Sequence, residues 1–302
     1  MNRLKVNLAG VEFDNPIIAA SGTVGFGKEY GEFFSLNELG GISVKGLTLK
    51  ERQGNKPPRI AETPSGILNS VGLQNPGVDV FLNEYLPYLK GYSLKVIANI
   101  AGNTIEEYVE MARRISDSET DMIEMNISCP NVKEGGVAFG TNPNTVYEIV
   151  GAVKKVSKKP VIVKLSPNVT DITEIAKAAE SAGADVLSLI NTLLGMKIDI
   201  KSRKPILANV VGGLSGPAVM PVAVRMVWQV KNAVKIPIIG MGGISSAEDA
   251  IEFLLAGADA VSVGTAFFTD PYVAIKIKRG ITEYLEENNI KSIKEIVGCV
   301  II

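Results

Sequence analysis

Short runs of β-branched and other apolar residues recur at positions 16–21, 41–45, 96–101, 122–128, 161–165, 186–191, 237–240 and 260–263, with amphipathic stretches of helical period between them. That alternation predicts a parallel sheet joined by helices, and eight strands are enough to close a barrel. Helix-start signals agree with it. Thr104 can cap a helix over 105–116 with Glu106 and Glu107 in its first turn, and Asp171 can cap 172–182 ahead of Gly183. Ser245 or Ser246 can start another that ends near Gly257. The pattern therefore predicts an α/β chain, a (β/α)8 TIM barrel formed as one domain over 1–302, with an N-terminal β-hairpin where residues 1–13 alternate.

Two connections are too long for simple turns. Residues 47–75 carry Gly, Pro and charged positions, and 195–217 hold a further apolar stretch at 205–208. Both follow strands, so both are predicted as insertions at the C-terminal face of the barrel, where barrel enzymes keep their active sites. No linker-like segment divides the chain.

Composition narrows the function classes. With 46% hydrophobic and 21% charged residues the chain has the balance of a globular protein, and 31 Lys+Arg against 32 Asp+Glu leave no broad basic field for a nucleic acid. The N-terminus lacks a continuous apolar run, so no signal peptide is expected, and no stretch reaches the length of a membrane span. Two cysteines, Cys129 and Cys299, cannot build a disulfide framework or a four-thiolate cluster, which fits a reducing cytoplasm. Cys299 lies in an apolar tail, 296–302, and is expected to pack there. The chain has no histidine, so proton transfer near neutral pH needs another group, and a thiol with an ordinary pKa of about 8.5 is the nearest candidate. That directs attention to Cys129, just after the fourth apolar run.

Polar residues at the C-terminal ends of barrel strands point toward the catalytic mouth. The ends carry Ser21 and Gly22, Lys45 and Gly46, Asn99, Asn126 with Cys129, Lys164, Asn191 with Thr192, Gly242 with Gly243, and Gly264 with Thr265. Amides, lysines and glycines suit a flat heteroaromatic ligand with a phosphate. The glycine pairs either turn the chain or present backbone N–H groups to that phosphate at strands seven and eight. Lys45 and Lys164, each in an apolar strand, either snorkel to water or stabilise an anion such as a reduced flavin. Cys129 is either a small buried hydrophobe or a base, and residues 133–140 supply a glycine-punctuated loop able to close over a ligand.

The stretches Asn69-Ser70-Val71-Gly72-Leu73-Gln74-Asn75, Asn126-Ile127-Ser128-Cys129-Pro130-Asn131, Ile190-Asn191-Thr192 and Gly240-Met241-Gly242-Gly243-Ile244 together resemble the dihydroorotate dehydrogenases, and the resemblance covers essentially the whole chain. It implies a barrel holding one FMN against Ser21, Lys45, Gly46, Asn99, Asn126, Lys164, Ile190, Gly216, Gly242, Gly243, Gly264 and Thr265. Substrate contacts are implied for Lys45, Asn69, Ser70, Val71, Gly72, Leu73, Asn126, Asn191 and Thr192. Dihydroorotate and orotate are flat, anionic and edged with carbonyl and N–H groups that amides pair in both senses. The reaction implied is proton abstraction from C5 by Cys129 with hydride transfer from C6 to FMN. No metal is implied.

A cysteine base resembles the soluble class of the family, since the membrane-associated class uses serine. Residues 25–30, 131–143 and 194–216 resemble the NAD-linked subtype, which works as a homodimer within a heterotetramer beside an electron-transfer subunit holding FAD and [2Fe–2S]. This chain has too few cysteines for such a cluster and no strand-associated G-x-G-x-x-G. The fumarate-linked subtype is the nearest alternative. A tRNA dihydrouridine synthase-like flavoprotein also pairs an FMN barrel with a cysteine, but it predicts a basic surface that a net charge of -1 does not supply. A barrel that only binds a metabolite or scaffolds a partner would carry no flavin.

Overall fold

The computed structural model describes residues 2–127 and 139–301. Eight parallel strands close a barrel, in sequence Ile17–Ala19, Gly41–Ser43, Lys95–Ile100, Met122–Asn126, Val161–Lys164, Val186–Leu189, Ile238–Met241 and Ala260–Val263. They are called here the first to eighth barrel strands. Residues such as Val161, Ile162 and Val163 are buried on both faces, because helices cover the outside and side chains fill the inside. That double burial is why the strands read as unbroken apolar runs rather than alternating ones.

The predicted caps form. The Thr104 hydroxyl accepts the Glu107 N–H at 3.2 Å at the head of Ile105–Ser116, and Asp171 accepts the Thr173 N–H at 2.8 Å at the head of Ile172–Ser181. Ser246, not Ser245, caps Ala247–Ala256, with Asp249 closing a capping box. Gly257 ends that helix at φ 119°, and a Cβ there would stand 2.3 Å from Lys231 Cγ, so only glycine fits the turn. Further helices span Pro143–Lys154, Met220–Lys231 and Val273–Glu287.

The early crossovers depart from a regular strand-helix repeat. Between the first and second strands the chain makes only 3₁₀ turns, Tyr30–Glu32 and Leu36–Glu38. The second crossover ends in a helical segment that changes from α to π at Phe81–Tyr85 and back to α at Leu86–Leu89. The N-terminal hairpin, Val6–Leu8 against Val11–Phe13, packs at the N-terminal end of the barrel, where the Phe13 ring lies so close to Gly41 that a Cβ would meet it at 2.9 Å.

The two long connections meet each other, which the sequence pattern does not announce. Ile60–Thr63, Gly66–Asn69, Val211–Ser215 and Leu193–Met196 form one antiparallel sheet, with Gly213 paired to Asn69 and Leu214 to Leu68. Ala61, Leu68 and Leu207 make a small core beneath it, so the apolar stretch at 205–208 is a packing element. Short strands Ile198–Asp199 and Lys204–Pro205 extend outward from it.

Cys299 departs from expectation. The residue is exposed, and its thiol donates to the Glu295 carbonyl at 3.0 Å. Ile296 is buried and ends the packed part of the tail, whereas Val300 and Ile301 find no apolar surface to cover them. Among the described residues, no helix is long and apolar enough to cross a membrane.

Candidate active site at the barrel mouth

Because all eight strands run parallel, their C-terminal ends share one mouth, and the antiparallel sheet rises from the second and sixth of them. Register sets the height of each side chain. Asn126 on the fourth strand lies beside Lys164 on the fifth, and Asn99 on the third lies beside Glu124 on the fourth. Since residues two apart on a strand share a face, Asn126 stands one layer above Glu124 and nearer the mouth.

The upper layer is polar. Asn191 Nδ2 donates to Asn126 Oδ1 at 3.3 Å, while the buried Tyr108 donates its hydroxyl to the Asn126 carbonyl at 2.7 Å. Both contacts fix the fourth strand where it leaves the barrel. Lys164 is only 6% exposed, and no hydrogen bond or ion pair among the described residues engages its ammonium. Its stem is buried while the ammonium is not one of the fully buried, unpartnered atoms, so its charge remains available to an anion. Lys45 extends toward Gly22, where a Cβ would stand 3.4 Å from its Nζ, and its backbone N–H donates to the Gly25 carbonyl at 3.1 Å. The Ser21 hydroxyl ties the first strand to the second through the Val44 carbonyl at 2.7 Å.

A cavity of about 630 Å³ opens beside these first two strand ends, lined by Gly22, Tyr30, Lys45, Arg52, Val71 and Gln74 among others. Burial, with the charge of Glu29 adding to it, pushes the Tyr30 phenol up, so it serves this cavity as a neutral hydroxyl. Of the residues singled out from sequence, Lys45, Gly22 and Val71 border this cavity, while Asn126, Lys164 and Asn191 do not.

Across the mouth, Gly216 and Gly243 come together, a Cβ on Gly243 standing 3.0 Å from the Gly216 carbonyl. Thr265 joins them by donating to Ser215 at 2.8 Å. Gly242 and Gly243 have φ of 128° and 87°, and a Cβ on either would press within 2.8 Å of Ala223 or Met220. The glycines are required for packing, with positive φ and no room for a Cβ. A Cβ on Gly264 would reach only ordinary contact at 3.6 Å, so packing does not demand glycine there.

Asn69 and Thr192 lie at the antiparallel sheet, and Gly72 and Leu73 in the loop after Gly66–Asn69. Asn69 Nδ2 donates to the Gly213 carbonyl at 3.4 Å, and Thr192 sits so close to Gly213 that a Cβ there would overlap its Oγ1 at 2.0 Å. Gly72 and Leu73 both take positive φ, 76° and 57°, where the loop turns back. Ile190 is buried just past the sixth strand. Cys129 and most of the loop 133–140 lie outside the described residues.

Sequence reasoning passed over several groups. Asn168 accepts the Leu194 N–H at 2.9 Å and donates to the Thr192 carbonyl at 3.0 Å, so it holds the start of the second insertion. Glu124, with Ser43, Asn99 and Ser188 around it, forms a buried polar layer under the mouth. A lone glutamate within Met122-Ile123-Glu124-Met125 was the available signal.

Two buried polar atoms in the predicted set have no hydrogen-bond partner among the described residues, Asn99 Oδ1 and Ser70 Oγ. Orphaned groups of that kind are rare unless a ligand completes them. Together with Lys164, they fit a flat, anionic ligand carrying both N–H and carbonyl edges. Fold and site thus define an α/β-barrel enzyme class with its chemistry at the strand ends.

Comparison with known proteins narrows that class. The family model described as dihydroorotate dehydrogenase matches residues 3–285. The chain is 61% identical over 295 residues to the dihydroorotate dehydrogenase B (NAD(+)) catalytic subunit of Alkaliphilus metalliredigens (strain QYMF), covering 98% of each chain. It is 59% identical to the protein of the same name from Alkaliphilus oremlandii (strain OhILAs), over 97% of each, and 56% to that of Thermoanaerobacter sp. (strain X514), over 98% of each. This chain belongs to the dihydroorotate dehydrogenase family.

Proposed function

We propose that this protein is the catalytic subunit of an NAD-linked dihydroorotate dehydrogenase, oxidising (S)-dihydroorotate to orotate in de novo pyrimidine synthesis in the cytoplasm. The observation that carries the reading is the meeting of Lys45, Asn126, Lys164, Asn191 and Thr192 at one barrel mouth, in a chain 61% identical to a protein of that name. FMN, when bound, supplies the acceptor for the hydride that leaves C6 of the substrate. Ser21, Gly46, Asn99, Lys164, Ile190, Gly216, Gly242, Gly243, Gly264 and Thr265 would hold it, with Lys45 and Asn126 shared between ring and substrate.

Each protein group has a definite task. Asn69, Asn126 and Asn191 pair the carbonyl and N–H edges of the substrate, and the loop Ser70, Val71, Gly72 and Leu73 covers it. Thr192 closes the remaining edge. Lys45 and Lys164 supply positive charge where the reduced ring and the substrate carboxylate concentrate negative charge. Cys129 removes the C5 proton as a thiolate, which becomes the neutral thiol and returns that proton to solvent. Loss of one proton and one hydride accounts for the new C5–C6 double bond.

Electrons then pass to NAD through a partner. The relatives are named catalytic subunits, and two cysteines are too few for an iron–sulfur cluster in this chain, which supports a separate electron-transfer subunit carrying FAD and [2Fe–2S]. Exposed apolar side chains on the insertions, Leu194, Met196, Ile198, Ile200 and Val210, support pairing with a second copy, giving a heterotetramer. The purified protein should release FMN on denaturation, and its flavin absorbance should bleach when dihydroorotate is added without oxygen. A colourless protein, or a flavin that dihydroorotate leaves oxidised, would refute the proposal. NAD reduction should be weak with this chain alone and restored by the electron-transfer subunit.

A further inference from the structure

Glu124 is 3% exposed and lies inside the barrel, one layer beneath Asn126. Three donors converge on it. Its Oε2 accepts from the Ser43 hydroxyl and from Asn99 Nδ2, each at 2.6 Å, and its Oε1 accepts from the Ser188 hydroxyl at 2.7 Å. Facing an oxygen that already receives a hydroxyl, Asn99 must turn its NH₂ inward and its carbonyl outward. That outward oxygen, Asn99 Oδ1, is buried without a donor among the described residues, and a Cβ on Gly46 would stand 3.0 Å from it. Gly46 follows the second strand at the mouth, so glycine there keeps space next to the unfilled acceptor.

We infer that Glu124 is a positioning residue for the cofactor: it locks the Asn99 amide in the sense that offers a carbonyl oxygen to the imide N–H of the flavin ring. The inference rests on the flavin reading above. An oxidised flavin ring carries one N–H, set between two carbonyls, so an acceptor held in a fixed sense discriminates for it. An Asn99 free to turn would present NH₂ to the same N–H, and two donors would then face each other in a buried site. Ser43 and Ser188 complete the lock by holding the carboxylate from two other strands.

The test is a double-mutant cycle on FMN affinity, read from flavin fluorescence released on dilution of the holoenzyme, with thermal unfolding to verify that each variant is folded. Glu124→Met removes the acceptor at similar length and is expected to raise the FMN Kd roughly tenfold, as is Asn99→Ala. The double variant should bind FMN no more weakly than Asn99→Ala alone. Glu124→Gln keeps an oxygen for Asn99 by turning its NH₂ to Ser188, whose hydroxyl accepts as well as donates, and should stay within about twofold of the parent. Fully additive losses, parental affinity in Glu124→Met, or a loss confined to orotate affinity would each overturn the inference. If Glu124→Met does not fold, Glu124→Gln with Ser188→Ala turns the new amide toward Asn99. That pair should bind FMN roughly tenfold more weakly than Glu124→Gln alone, and unchanged affinity overturns the inference. A parent protein that holds no FMN would instead sink the flavin reading itself.

Discussion

At the residue scale, the chemistry of this chain follows from which side chains remain unsatisfied. Lys164 has a buried stem and no hydrogen bond or ion pair to its ammonium among the described residues, so substituting it should weaken an anionic ligand more than the fold. Lys164→Ala is expected to lower flavin affinity and reduction rate roughly tenfold or more with little change in thermal unfolding, measured on the same preparation. Cys129→Ser should keep FMN bound yet slow reduction by dihydroorotate severely near neutral pH in stopped flow, because a hydroxyl holds its proton far more tightly than a thiol and so offers far less of the basic form. Near-parental reduction would remove Cys129 from the mechanism. Gly213→Ala tests the substrate side: its Cβ would overlap Thr192 Oγ1 at 2.0 Å, so Thr192 must move. The KM for dihydroorotate should rise roughly tenfold while the FMN Kd holds, since misplacement of about an ångström is costly only where geometry matters. Lys45 and Lys164 were legible from sequence as polar groups at the ends of apolar strands, while Cys129 lies outside the described residues. Glu124 did not stand out, because its meaning depends on Ser43, Asn99 and Ser188 arriving from three other strands.

At the element scale, caps and strand order decide stability. Ser246 and Asp249 close both ends of a capping box, and Ser246→Ala should cost about 1 kcal/mol in denaturant unfolding without altering FMN binding. Asp171 answers to pH. Hydrogen bonds from Thr173 hold its carboxyl below the ordinary carboxylate range, so its contribution is present above the unfolded value near ~3.9 and is lost as pH falls through the lower folded value. Thermal stability should therefore drop on the acid side, between about pH 5 and 2, and Asp171→Asn should flatten part of that slope. An unchanged slope would show that the cap is not what titrates. Caps are readable in sequence because they are local. The first crossover, with 3₁₀ turns where a helix is the regular choice, and the antiparallel pairing of Gly66–Asn69 with Val211–Ser215 were not, since both are set by long-range fit.

At the scale of the whole molecule, the insertions both roof the mouth and expose apolar surface. Ile200 is 86% exposed and Leu194 57%, on the same excursion as Met196 and Ile198. Ile200→Glu with Leu194→Glu should shift the protein from dimer toward monomer in sedimentation while leaving its thermal unfolding near the parent, because neither side chain is in the core. A dimer unmoved by both charges would place the interface elsewhere.

The sequence alone determined the eight strands, the helix starts and the strand-end residues, because each depends on neighbours within a few positions or on a period of about two or 3.6 residues. It did not determine that two distant loops would pair into one sheet, that Ser246 rather than Ser245 would cap its helix, or that Cys299 would face solvent. Those outcomes turn on which surfaces meet after the barrel closes. Closure also brings Glu124 against Asn99, leaving Asn99 Oδ1 as an acceptor without a donor among the described residues, and no local pattern could have set that distance.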